Sequence, residues 1–434
     1  MAKTSFGLAD DVRDKLARRF RKPQRAEAGE GGIAEALCRF DRHPGYEKLL
    51  AIQAVGEKLG LPNPFFRTHD GVAGAGTRID GRGYVNFANY DYLGLNGHPS
   101  VSEAAHAAIE RYGTSVSAAR LGGGERAVHA ELERALAELY EVDESIVMVS
   151  GHATNVTTIG YLFGPRDLIL YDRLAHNSIL EGVRLSGAAH RAFAHNDAGA
   201  ADAILREGRR SFERVLIVIE GLYSMDGDVA DLPAFVEVKK RHKAFLMVDE
   251  AHALGVLGAT GRGLGEHHGL DGREVDLWMG TLSKSLAGCG GFIAGERALV
   301  EHLRYAAPGF VYSVGLPPAL AAASLQALRV MLEEPQRVAR LRRLSRRFAE
   351  LAASRGVDTG RSQGFAIVPA MLGPSIAAVS AAARLFDEGI NVQPVVYPGV
   401  EEGAARLRFF INCTHEEAQL DAAVDALVRA GARA

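Results

Sequence analysis

Seven short apolar runs, separated mostly by stretches of helical periodicity, restrict the fold of this chain more than any other feature. The runs are Ser145–Val149, Leu168–Tyr171, His190–Phe193, Val215–Ile219, Phe245–Val248, Leu277–Met279 and Gly291–Ala294. Strands alternating with helices call for crossover connections, and so predict an α/β fold with a large, mostly parallel seven-stranded sheet and helices on both faces. Beyond Pro317-Pro318 the pattern changes to a long Leu/Arg/Ala helix over about 319–355, broken near Pro335. Short strands and a final helix after Thr414 follow. Because 434 residues exceed one ordinary core, the expected division is a helical segment and linker over 1–62, a large domain over 63–318 and a smaller α+β domain over 319–434.

The lead over 1–45 is charged and Gly-containing. Its first part is helix-like, with Phe6, Leu8, Val12 and Leu16 on one face, and reads as a poorly ordered terminus or docking segment. An amphipathic helix is expected from Pro44 to Gly60. The net charge of −3 argues against a nucleic-acid partner, and the arginines near Arg18 and between Arg340 and Arg347 read as solvated helix faces. Three scattered cysteines, Cys38, Cys289 and Cys413, with no CxxC, indicate no metal motif and fit a reducing cytoplasm. No apolar run approaches membrane-spanning length, and the first twenty residues lack the apolar core of a signal peptide.

Chemistry gathers at the ends of the apolar runs, where a parallel sheet collects ligands. Ser150-Gly151-His152 follows the first run and opens a helix, so its backbone N–H groups suit a phosphate. Asp249 ends the run Phe245–Val248 and, desolvated there, needs a cationic partner. His252 lies three residues on. Lys284 follows the sixth run among small and hydroxyl residues, flanked by Thr281 and Ser283. A lysine that anchors a cofactor aldehyde, an acid for a pyridinium nitrogen and hydroxyls for a phosphate are what pyridoxal phosphate requires. Asp249-Glu250-Ala251-His252 also spells the DEAH of a nucleic-acid-dependent ATPase, but GxxxxGK[ST] is missing upstream, which removes that reading.

Eight motifs in order extend the pattern: NFANYDYLGL (86–95), HAELERALAELY (129–140), DRLAHNSILEGVRLSGA (172–188), FAHND (193–197), EGLYSMDGDVADLP (220–233), VDEAHALGVLGATGRG (248–263), GTLSKSLAGCGG (280–291) and ARLRFFINCTH (405–415). With them the chain, from about Asn63 onwards, resembles the α-oxoamine synthases among the fold-type I pyridoxal phosphate enzymes. The resemblance implies that Lys284 carries the cofactor, Asp249 pairs with its nitrogen and His252 contacts its phenolic oxygen. It implies too that His176 stacks on the pyridine ring and touches the substrate carboxylate. Ser224 and Thr281 would sit near the cofactor oxygen or phosphate, with Gly151 and His152 offering backbone amides. Arg408 would salt-bridge the amino-acid carboxylate, a task suited to a bidentate guanidinium.

Three positions depart from the family pattern. His152 replaces an aromatic or other large residue. Tyr90 stands where the oxononanoate, ketobutyrate and aminolevulinate branches tend to have Asn; serine palmitoyltransferases resemble this chain there, which leans the amino acid towards serine, then alanine or glycine. Val314 lacks a hydroxyl that a neighbouring subunit often offers to the phosphate. The implied reaction is a decarboxylative Claisen condensation of a small amino acid with an acyl thioester, on CoA or an acyl carrier protein, in a homodimer with its active site at the subunit interface. An aminotransferase of the same fold and a non-catalytic partner subunit are the alternatives.

Overall fold

The structure, a computed structural model, describes residues 35–432; the helix expected around Phe6–Leu16 lies outside them. By packing, the chain divides after Asn63 into two compact units. The described part of the first holds two short 3₁₀ turns and a helix, Pro44–Lys58. Pro44 occupies the first helical turn, where its missing N–H costs nothing, and the His43 ring accepts from Gly45 N–H at 3.1 Å.

The second unit, from Pro64 onwards, contains three sheets. The first comprises β1 (His69–Asp70), β2 (Gly76–Ile79) and β3 (Arg82–Asn86). These pair antiparallel, and a distant strand is added parallel to β3. The large sheet consists of β4 (Glu144–Met148), β5 (Leu168–Asp172), β6 (Ala189–Phe193), β7 (Val215–Glu220), β8 (Phe245–Asp249), β9 (Leu277–Thr281) and β10 (Gly291–Gly295). Its order is β4-β10-β9-β8-β7-β5-β6. Only β10 runs antiparallel, against both β4 and β9. Later come β11 (Ile367–Gly373), β12 (Ile390–Asn391), which joins β3, and β13 (Gln393–Val395) and β14 (Ala405–Phe410), which pair with β11 in the order β11-β14-β13.

Apart from the edge strand β6, where His190 and Arg191 are exposed, the strands read as apolar runs because the large sheet is covered on both faces. Val147, Ile217, Leu246, Trp278 and Phe292 enter one core, while Ile146, Leu216, Met247, Met279 and Ile293 enter the other. Each expected strand is present to within two residues at its ends. The long helix is two, Pro318–Glu333 and Gln336–Ser354, and Pro335, which has no N–H to donate, stands at the break. The β1–β3 hairpins and β12 were not expected from the sequence.

Parallel register brings acids together. Glu220 ends β7 and Asp249 ends β8, and the two are direct cross-strand partners, so both side chains leave the sheet on one face. Asp172 and Thr281 end β5 and β9. Helices Gly151–Leu162 and Asn177–Ser186 begin at this same carboxyl edge, which is therefore where the chemistry can lie.

Candidate active site

Lys284 sits in a tight turn after β9. Leu282 N–H donates to Gly290 O at 3.0 Å, Gly288 N–H to Leu282 O at 2.8 Å and Ala287 N–H to Lys284 O at 3.0 Å. Ser285 Oγ–H bonds Leu254 O at 2.7 Å, fixing the turn to the segment after β8. Ala287 adopts a left-handed φ of 51°, which costs about 1 kcal/mol for a residue with a Cβ, so the turn holds its lysine at some expense. Burial lowers the Lys284 pKa from 10.5 to about 8, with Arg408 acting in the same direction and Asp249 and Glu220 opposing. The Nζ lies 5.6 Å from the centre of the Tyr90 ring.

Asp249 is buried. One carboxylate oxygen accepts from Asn155 Nδ2 at 2.8 Å and the other from Ala251 N–H at 2.9 Å. Its neighbour Glu220 accepts from His176 N–H at 2.6 Å. Burial, followed by the Asp249 charge, raises the Glu220 pKa to about 8, the expected outcome for side-by-side carboxyl groups in a dry site.

Gly151 is the first residue of its helix, capped by Ser150, whose Oγ accepts from Ala153 N–H at 3.3 Å. A Cβ on Gly151 would stand 2.9 Å from Thr281 Oγ1. The bare helix end thus faces the hydroxyl of Thr281, which bonds Ser283 Oγ at 2.7 Å and Gly290 O at 2.9 Å. N–H groups at a helix N-terminus beside two hydroxyls form a cradle that fits a phosphate. His152, next along, is exposed.

The histidines are differently placed. His252 is buried, bonds Tyr92 Oη through Nδ1 at 2.7 Å and lies parallel to Phe410 at 6.3 Å. Burial holds its pKa well below the usual imidazole value. His176 caps helix Asn177–Ser186 and meets His152 edge to face, ring centres 6.5 Å apart. Burial also lowers its pKa; Lys284, His152 and Arg408 add to this and Asp249 opposes it.

Arg408 extends from β14. Its Nη1 donates to Ser224 O at 2.9 Å, and its guanidinium carbon lies 4.7 Å from the Phe410 ring centre. Buried Nε has no partner, and burial lowers the pKa. Among the described residues no carboxylate pairs with Arg408, whereas Arg406 is paired with Asp226. Ser224, buried, thus touches the arginine through its carbonyl. Tyr90, 38% exposed, stands edge-on to Phe410 at 4.7 Å and to His252 at 5.9 Å.

Sequence reasoning overlooked Glu220, Asn155, Ser178 and the cluster around His195. Glu220 ends an apolar run as Asp249 does, and that signal was available. His195 bonds Asp172 at 2.9 Å through Nδ1 and Asp228 at 2.8 Å through Nε2. Burial opposes its charge, but the two carboxylates prevail and raise its pKa to about 9. His195, Asp226 and Asp228 bring ligand atoms within 4.8 Å of one another. Both imidazole nitrogens are engaged by carboxylates, and Asp226 is held by Arg406.

Comparison with known proteins places this site in a family. Residues 82–427 match the sequence profile of aminotransferase class I and II. The chain is 42% identical over 352 residues to 8-amino-7-oxononanoate synthase of Methylococcus capsulatus, covering 81% of this chain and 90% of that one. It is 39% identical over 353 residues to the enzyme of the same name from Symbiobacterium thermophilum, with coverage of 81% and 90%. Serine palmitoyltransferase of Sphingomonas wittichii superposes with a TM-score of 0.85 at 29% identity, over 89% of this chain and 97% of that one. No described helix is long and apolar enough to cross a membrane. A half-buried lysine and a buried acid beside a phosphate cradle, on a sheet of this order, fit pyridoxal phosphate, and the chain belongs to the aminotransferase class I and II family as an α-oxoamine synthase, a pyridoxal phosphate-dependent acyltransferase.

Proposed function

We propose that the protein condenses alanine with an acyl thioester, releasing carbon dioxide and free thiol and forming an α-amino ketone. Alanine is favoured because 8-amino-7-oxononanoate carries its amino group next to a terminal methyl, the fragment alanine leaves on losing its carboxylate. Serine is the second reading. Tyr90, the feature that the resemblance links to serine palmitoyltransferases, stands against the Lys284 ammonium and supports it. The acyl carrier is CoA or a carrier protein, and the working unit is a cytoplasmic homodimer.

Pyridoxal phosphate, when bound, supplies an electron sink for a carbanion next to the substrate amino group. Lys284 would anchor it, Gly151, His152, Thr281 and Ser283 would hold its phosphate, and Asp249 would pair with its nitrogen. Each Asp249 oxygen accepts from one N–H donor and retains a lone pair for a cation. His252 and Ser224 would contact the ring oxygen. Arg408 takes the amino-acid carboxylate, satisfying the Nε that is otherwise buried and unpaired. Lys284, with a pKa of about 8, is in part neutral near neutral pH and removes the α-proton. His176 donates a hydrogen bond to the oxygen of the attacked thioester carbonyl.

The observation that carries this reading is His176 at the head of its helix, its Nδ1 accepting from Ser178 N–H and its pKa lowered by desolvation and by the nearby Lys284 and Arg408 charges. Amino-group transfer develops no thioester oxyanion and has no use for such a donor. The test titrates alanine, serine and glycine into the cofactor-loaded protein while its visible spectrum is followed. Alanine is expected to shift the spectrum at the lowest concentration, and Lys284→Ala to lose both the original band and turnover. Failure of all three amino acids to shift it would overturn the proposal.

A further inference from the structure

Asn155, already a donor to Asp249, and Ser178 together join two residues of the site. Asn155 is buried one turn into its helix. Its Nδ2 donates to Asp249 Oδ2 at 2.8 Å and to Ser178 Oγ at 2.9 Å. The amide has one workable orientation, because turned over its oxygen would face the Asp249 carboxylate, acceptor against acceptor. Having accepted from Asn155, the Ser178 hydroxyl keeps its own proton to give, and His176 Nδ1 lies 2.7 Å away. The same nitrogen accepts from Ser178 backbone N–H at 3.3 Å. A nitrogen that receives hydrogen bonds must present its lone pair. The single proton of a neutral imidazole then sits on Nε2.

We propose that Asn155 and Ser178 are positioning residues that hold His176 in its Nε2–H tautomer, in register with Asp249. The far edge of the ring is thereby a hydrogen-bond donor, which is what a developing oxyanion requires. With the proton on Nδ1 instead, Ser178 N–H would meet another N–H and the far edge would be an acceptor of no use to that oxygen. The groups facing His176 are Asp249 from β8, Lys284 beyond β9, His152 from the helix after β4, Arg408 from β14 and Glu220 from β7. Of the charged groups acting on its titration, Asp249 favours protonation while Lys284, His152 and Arg408 oppose it. The hydrogen bonds into Nδ1 add to that opposition.

The functional consequence rests on the proposed role of His176, whereas the tautomer can be measured without it. The experiment records imidazole ¹⁵N resonances of the full, cofactor-loaded chain labelled at histidine, with His176→Asn assigning the signals. The expected spectrum has His176 Nδ1 as an acceptor and Nε2 protonated. In Ser178→Ala, loss of one donor to Nδ1 should raise the His176 pKa by roughly one unit and lower kcat about three- to tenfold. The amino-acid KM and the cofactor absorbance should stay unchanged, and Ser178→Thr should restore both kcat and the titration. Asn155→Ala should move the titration in the same direction. A proton on Nδ1 in the unaltered protein, or a Ser178→Ala variant with unchanged titration and kcat, would overturn the inference. If Ser178→Ala fails to fold, the tautomer of the unaltered protein decides alone. Absence of carbon dioxide release with every substrate would instead remove the proposed function and leave the tautomer standing.

Discussion

Arg406 and Arg408 lie two residues apart on β14 and so leave the strand on one face, but Arg406 is paired with Asp226 and Arg408 has only a backbone carbonyl, a thioether and an aromatic face. A half-buried guanidinium in that condition, with Nε buried, is prepared for an anion that arrives with the substrate. Arg408→Lys keeps the charge but loses the planar fork. It should raise the amino-acid KM by ~10- to 100-fold with a smaller change in kcat, as read from steady-state kinetics. An unchanged KM would place the carboxylate elsewhere. Lys284 makes a second prediction. Only its neutral amine can attack the cofactor aldehyde, and its pKa is about 8. The rate at which cofactor-free protein takes up pyridoxal phosphate should therefore rise with pH and level off above about 8. A rate still climbing towards pH 10 would mean the lysine is not desolvated.

Between elements, His195 is a buried charged tie. It links Asp172 at the end of β5 to Asp228 in the segment after β7 that also carries Ser224. Its folded pKa of about 9 exceeds the ordinary value near ~6.5. The stabilisation it gives is therefore complete below about pH 6.5 and lost as pH rises through about 9, with an upper bound of roughly 3 kcal/mol. Urea unfolding should show His195→Ala destabilised strongly at pH 6 and much less at pH 10; equal losses at both would rule out the charged clamp. This tie also marks the limit of reading elements from sequence. His195 stands within a recognisable motif, but its partners are 23 and 33 residues away, and nothing local reveals them. Lys284, Asp249 and His252 were legible because each adjoins an apolar run whose direction in the sheet follows from its type. Glu220 was legible by the same rule and was overlooked. Asn155 and Ser178 were not, since they look like ordinary polar helix residues until Asp249, 94 residues from Asn155, is brought alongside.

For the whole molecule, the seven-stranded sheet was legible because burial on both faces writes continuous apolar runs. The sheet built from β1 to β3 and β12 was not. Its strands are two to five residues long, with exposed residues throughout β1 and along much of β2 and β3, and β12 joins β3 across some 300 positions, as in the pair Val85 and Ile390. Assembly gives a further prediction: sedimentation of the cofactor-loaded protein should yield a dimer near twice 46.4 kDa, and a fully active monomer would contradict an active site shared between subunits. The most direct test of the account follows carboxyl-labelled alanine and serine with CoA- and carrier-bound acyl thioesters. The account predicts labelled carbon dioxide and free thiol in equal amounts, only when both substrates are present and not with Lys284→Ala. Transfer of the amino group to a keto acid with the label retained would contradict it.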